Sequence, residues 1–394
     1  MRKGLKIFLV LIVVLAAWLA CKKPYSPKLV ANNSNYLVVE GVINTGNDST
    51  IFKLSRAVAV SAHLDSAAES GARIIVEDKN SAGYQLLDLG NGRYGMGPVG
   101  FDTTRQYRVH IFTSDGLEYA SDFVQPRSSP PIDSLGYNVN ANGIQIYVNT
   151  HDSKEQSRYY RWDYRETWKF HAKYQSSFVS NGVSIRPRTT DQMVFACFGN
   201  HYSNVVTLGS SAKLARDVIY QAPIIAIPST SEKIETRYSI LVKQYVLTPE
   251  GYTYWQSLKN NTEQIGSIFD PQPSEVSGNI HCITNPDIRV LGYVSAGTIQ
   301  QKRIFIDASQ LPQTWQTIYP YDCQIDSLLN CRPTPGGGCI PEVQLHLVPL
   351  PSKDIPVSGI YQNGIIIGYT GADQDCADCT LRGTKQVPDF WTNF

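Results

Sequence analysis

The stretch Tyr160–His171, YRWDYRETWKFH, alternates without a break over twelve residues. One face carries Tyr160, Trp162, Tyr164, Glu166, Trp168 and Phe170, and the other carries Arg161, Asp163, Arg165, Thr167, Lys169 and His171. A period of two is the period of a β-strand, because successive side chains leave a strand on opposite sides. On a helix the aromatics would scatter around the axis. Two readings follow. Either the aromatic face is core and the polar face is wet, or the aromatics form a platform for another protein or a sugar, with Trp162 and Trp168 as its anchors. Glu166 sits on the aromatic face. If that face is inside, the carboxylate needs a partner or water.

Strand patterns continue on both sides. Upstream, "IDSLGYNV" and "GIQIYVNT" read as strands, with Ile144, Ile146 and Val148 sharing a face and Gln145, Tyr147 and Asn149 opposite. Downstream, "SNVVTLG", "APIIAIP", Tyr238–Leu247, "IRVLGYVSAG" and "QKRIFID" read the same way, "SAKLARD" suggests a helical turn, and "EVQLHLV" alternates briefly. One helix interrupts them. Thr248 is a good N-cap, Pro249 suits the first helical position, and Tyr252, Trp255, Lys259 and Thr262 recur at three and four residues. The pattern predicts a helix over 249–264 whose aromatic stripe packs on a sheet. The alternative makes Tyr252 and Trp255 a ligand surface. Gly251 weakens this helix by roughly 1 kcal/mol.

Before the proline-rich break "PRSSPP" at 126–131, six or seven short strands fit into fewer than 100 residues, including "YLVVEGVI", "AVAV" at 57–60, "ARIIVED" and "QYRVHIF". A Gly–Asn–Gly turn at 90–92 separates two more. The fold class is therefore mainly β. The expected architecture is a tandem of immunoglobulin-like or fibronectin-like β-sandwiches, with the single helix and a cysteine-rich C-terminal region. The domains fall at 36–127 and 132–394.

The first 21 residues are different in kind. Arg2, Lys3 and Lys6 precede an apolar run from Ile7 to Ala20, followed by Cys21. That is the order of a secretory signal. A cysteine at the cut is a site for acylation, so Cys21 is the expected lipidation site, although Trp18 stands where a leucine is usual. The run is shorter than the roughly 20 residues a spanning helix needs. Residues 22–35 read as a polar tether. Without the signal, 32 basic residues face 34 acidic ones. No basic field exists to gather phosphates, which argues against nucleic acid as a partner.

Seven cysteines remain: Cys197, Cys282, Cys323, Cys331, Cys339, Cys376 and Cys379. An exported chain can oxidise them, and an odd count leaves one over. Cys197–Cys282 is a natural long-range bridge. Cys323, Cys331 and Cys339 are spaced by eight and eight; one natural arrangement pairs two of them and sends the third elsewhere, but spacing does not fix the connectivity. Cys376-x-x-Cys379 suits a structural disulfide or pinned loop, a metal site or redox exchange. Asp373, Asp375 and Asp378 beside it disfavour a thiolate, and offer oxygen ligands to calcium without the usual loop spacing. A four-cysteine zinc site from Cys323, Cys331, Cys376 and Cys379 is a further option. No nucleophile elbow, HExxH helix, phosphate loop or dinucleotide fingerprint occurs. The residues give no catalytic group and no cofactor beyond a lipid on Cys21, so the chain reads as a non-enzyme.

The run "RYSILVKQYVLTPEGYTYWQSLKNNTEQIGSIFDPQPSEVSGNIHCITNP", together with "DCADCT" and "PDFW" near the C-terminus, resembles the DUF4249 family of exported lipoproteins of the Bacteroidota. "LVVEG" and "YRWDYRETWKF" fit the same family more loosely. The resemblance implies an envelope lipoprotein, lipid-anchored at the outer membrane. Its implied role is accessory subunit to an outer-membrane β-barrel such as a TonB-dependent receptor. It carries over no catalytic residue. Acidic residues after the lipid cysteine often accompany export to the outer face in these bacteria. Here Lys22 and Lys23 follow, which leaves both leaflets open, periplasmic and surface. A surface lipoprotein that binds glycans or peptides through exposed Tyr and Trp is the alternative.

Overall fold

The computed structural model describes residues 35–57, 67–80, 83–263, 276–319 and 321–391. Cys21, most of the tether and most of "AVAV" lie outside the described residues.

The chain is mainly β, in several sheets, with one long helix. Alternation of apolar and polar residues sets the faces. In Arg73–Asp78, for example, Ile74 and Val76 are fully buried while Arg73 is exposed. The first body packs two sheets face to face. Strands Leu37–Asn44, Thr50–Arg56, Arg93–Met96 and Leu87–Gly90 run side by side in one. Arg73–Asp78, Tyr107–Phe112 and Glu118–Ser121 are central to the other. Their inner faces meet in a core of Leu37, Ile43, Phe52, Leu54, Ile74, Tyr94, Tyr107 and Tyr119. The expected Gly–Asn–Gly turn is present, with φ of +80, +54 and +70 degrees at Gly90, Asn91 and Gly92.

This body is not finished by residue 127. Ile280–Cys282 adds an edge strand beside Glu118–Ser121, and Val290–Gly292 and Ser295–Gly297 pair in parallel with Leu37–Asn44. Ile280, Cys282, Val290, Val294 and Ala296 join its core. The division at 127/132 is thus corrected. Parallel pairing needs a long crossover, and here the crossover is most of the second body.

The second body faces a three-stranded sheet, Ile132–Asn140, Gly143–His151 and Val218–Pro228, against a five-stranded one. In the latter, Tyr159–His171 is central. It pairs with Arg237–Val246 on one side and with Ala196–Tyr202 and Thr207–Ser210 on the other, and Gln300–Asp307 lies beyond Arg237–Val246. Ile144, Ile146 and Val148 point into the core, as their spacing predicts.

The helix, α1, spans Pro249–Glu263, and Thr248 Oγ1 accepts from Gly251 N at 3.1 Å. Its buried residues are Gly251 and Tyr254, so the expected stripe is shifted. "SAKLARD" forms turns and no helix, and Glu342–His346 is a short helix where alternation suggested a strand. Leu347 N and Val348 N both bond Val343 O there, which curls the segment over its buried Val343.

Candidate interaction site on the outer face of the central sheet

Tyr159–His171 has two faces with different jobs. Inward, Tyr160 and Trp162 are fully buried. Trp162 Nε1 donates to Gln244 Oε1 at 3.0 Å, and Tyr160 Oη donates to Asp217 Oδ2 at 3.0 Å. Glu166 is 0% exposed and well partnered. Lys233 Nζ lies 2.7 Å and His201 Nδ1 3.1 Å from Oε2, and Tyr238 Oη donates to Oε1 at 2.9 Å. Burial and this carboxylate hold the Tyr238 phenol well above its ordinary range, and push Tyr164 up to about 12.

This packing takes Trp162 out of the expected aromatic platform. Trp162 is closed off from any partner. Trp168 is half-buried, with the Lys233 ammonium 5.1 Å from its ring centroid. On α1, Tyr252 packs against Tyr159 at 4.9 Å between centroids, and the Arg161 guanidinium covers Trp255 at 4.2 Å. Each aromatic singled out in the sequence already has an internal partner.

The outward face is instead a lattice of arginines and aromatics. Arg161 also stacks on Tyr245, Arg165 on Tyr202, Arg237 on Phe305 and Trp391, and Arg303 on Phe390. Cation–π contact of this kind suits guanidinium groups partly withdrawn from water. α1 covers the Arg161 end, and the segment reaching Trp391 covers the Arg237 end. Sequence reasoning placed Arg165 on the polar face but missed Arg303. Nothing local signals that Gln300–Asp307 pairs next to Arg237–Val246.

The cysteines build the covering segment. Cys197 bridges Cys379, Cys323 bridges Cys376, and Cys331 bridges Cys339. Cys282 is free and buried in the first body, so the expected Cys197–Cys282 bridge does not form. The two are in different cores. Cys376 and Cys379 pin one short loop to two distant places instead of pairing together. With both sulfurs in disulfides, neither is a thiolate for a metal, which also removes the four-cysteine zinc option. Among the described residues no group of three or more His, Cys, Asp and Glu is placed to hold a metal ion.

Among the described residues, two recesses stand out. One of about 190 Å³ is lined by Glu235, Leu311, Gln313 and Trp315 among others. The other, about 400 Å³, is lined by Asp322, Asp326, Lys353, Asp354 and Asp373. Burial and the adjacent Asp373 raise the Asp354 carboxyl above its ordinary value, and Lys353 Nζ lies 3.2 Å from Asp373. Asp375 is exposed and does not line this recess. No described helix is long and apolar enough to cross a membrane.

Fold and site together define a disulfide-pinned, mainly β protein of two interleaved two-sheet bodies. The chain belongs to the DUF4249 family (Domain of unknown function), whose model matches residues 22–303. No curated relative matches the chain. Among solved structures, one described as the complete structure of manganese lipoxygenase of Gaeumannomyces graminis and partial structure of zonadhesin of Komagataella pastoris is similar at 11% identity. It covers 56% of this chain and 91% of that chain with a TM-score of 0.15.

Proposed function

We propose that the chain is a cell-envelope lipoprotein, acylated at Cys21, that serves as a non-enzymatic accessory subunit of an outer-membrane complex. Its partner is a β-barrel such as a TonB-dependent receptor. The observation that carries this reading is the disulfide set: three bridges, two of them joining distant segments, which support maturation in an oxidising compartment. The secretory pattern of residues 1–21 supports the same address. We read the two bodies as immunoglobulin-like or fibronectin-like sandwiches, modules suited to bracing a partner. Anchoring raises the local concentration near that partner, so weak contacts suffice.

Purification from native membranes with mass spectrometry tests this. The expected result is an acyl adduct on Cys21 and co-purification with an outer-membrane β-barrel. Recovery of an unacylated monomer that washes off with buffer overturns it.

A further inference from the structure

Arg165 and Arg303 lie in one row across the central sheet, on either side of Leu241. Strands are spaced about 4.8 Å apart, so the two α-carbons sit roughly 10 Å from each other. Two arginine side chains at that separation can reach one small anion. Arg165 makes no side-chain hydrogen bond and no ion pair among the described residues, and its Nε is buried without a partner. Arg303 donates to Ser239 Oγ at 2.9 Å and has no acid partner among the described residues.

The acids of this face are already engaged. Arg161 lies 3.3 Å from Asp163 and Arg237 lies 3.3 Å from Asp307. Lys169 and Lys243 stand on the same face and add positive charge. Thr167, 2% exposed and next along the strand on this face, has an Oγ1 without a hydrogen-bond partner. Burial and the nearby Arg165 push the Arg303 guanidinium below its ordinary value. Charges drawn from water without a counter-charge are costly, and a buried donor left unmade adds to that cost.

The aromatic rings fix the guanidinium groups. Tyr202 lies 5.0 Å from Arg165 and Phe390 3.6 Å from Arg303, centroid to guanidinium carbon. Stacking occupies the flat faces and leaves the N–H edges, which match the two oxygens of a carboxylate or phosphate. We propose that Arg165 and Arg303 form an oxyanion-binding site for the carboxylate or phosphate group of a small ligand, on the outer face between α1 and the segment ending at Trp391. The site is independent of how the chain is anchored.

Calorimetric titration of the purified full-length chain with inorganic phosphate, and separately with succinate, at constant ionic strength in chloride, tests the proposal. One saturable site per chain is expected for at least one of the two, and the preferred anion tells phosphate from carboxylate. Arg165→Gln and Arg303→Gln should each weaken it about tenfold or more, while Lys243→Gln on the same face should change it far less. Absence of saturable binding of either anion overturns the proposal, as does equal binding by the Arg165→Gln/Arg303→Gln double variant. Circular dichroism checks folding. Should the glutamine variants misfold, Arg165→Lys decides: it keeps the charge but loses the fork, so a clear drop in affinity supports the site and unchanged affinity refutes it.

Discussion

Glu166 poses a problem in the sequence that its neighbours solve in the fold. A carboxylate in a row of aromatics is expensive unless paired, and Lys233, Tyr238 and His201 converge on it from three different segments. The arrangement is asymmetric. Removing Lys233 strands a buried charge, whereas replacing Glu166 by its amide keeps an acceptor for Tyr238. Lys233→Ala should therefore cost about 3 kcal/mol of unfolding free energy and Glu166→Gln about 1 kcal/mol. Urea denaturation of the two variants checks the order, and the reverse order would mean that Lys233 is not the main support of the buried Glu166 side chain. The sequence marked Glu166 as needing company. It did not say which residues would come, because Lys233 and Tyr238 are about 70 positions away in the chain.

Helix α1 shows the same limit for an element. Thr248, Pro249 and the three-four spacing located it to within a residue. Which face is buried was decided elsewhere: Tyr254 packs on Tyr293 at 5.4 Å between centroids, and a Cβ on Gly251 would lie 3.0 Å from Tyr293 Cε1. Gly251 thus permits close approach of the helix to the 290–297 segment, while Tyr252 and Trp255 meet Tyr159 and Arg161 of the second body. In an open helix Gly→Ala would stabilise by about 1 kcal/mol. Here crowding against Tyr293 should cancel that gain, so Gly251→Ala should leave the thermal midpoint level or lower. A rise matching the full helix-propensity gain would show that this contact is not tight.

For the whole molecule, the decisive fact is that the chain returns to its first body after building most of the second. The linker is gripped on the way: Gln244 Nε2 donates to Pro130 O at 2.8 Å, and Ser129 N donates to Thr298 Oγ1 at 2.8 Å. A fragment of residues 36–127 would lack the strands that cover Leu37, Val39 and Tyr119. It should show no cooperative unfolding transition by calorimetry. Fusing residues 276–298 to it through a flexible linker should restore one. A cooperative transition in the short fragment alone would mean that the returning strands are decoration.

Local pattern by itself determined the mainly β class, the inward and outward faces of Tyr159–His171, the turn at 90–92 and the place of α1. These depend on residues within a few positions of each other, where side-chain period and backbone preference act directly. Tertiary structure alone decided that 280–297 completes the first body, that Cys197 meets Cys379 and not Cys282, and that Arg165 and Arg303 share one row. Those outcomes follow from which strand edges meet across long stretches of chain. Pairing between strands uses backbone groups that every residue carries, so the side-chain pattern does not specify the partner.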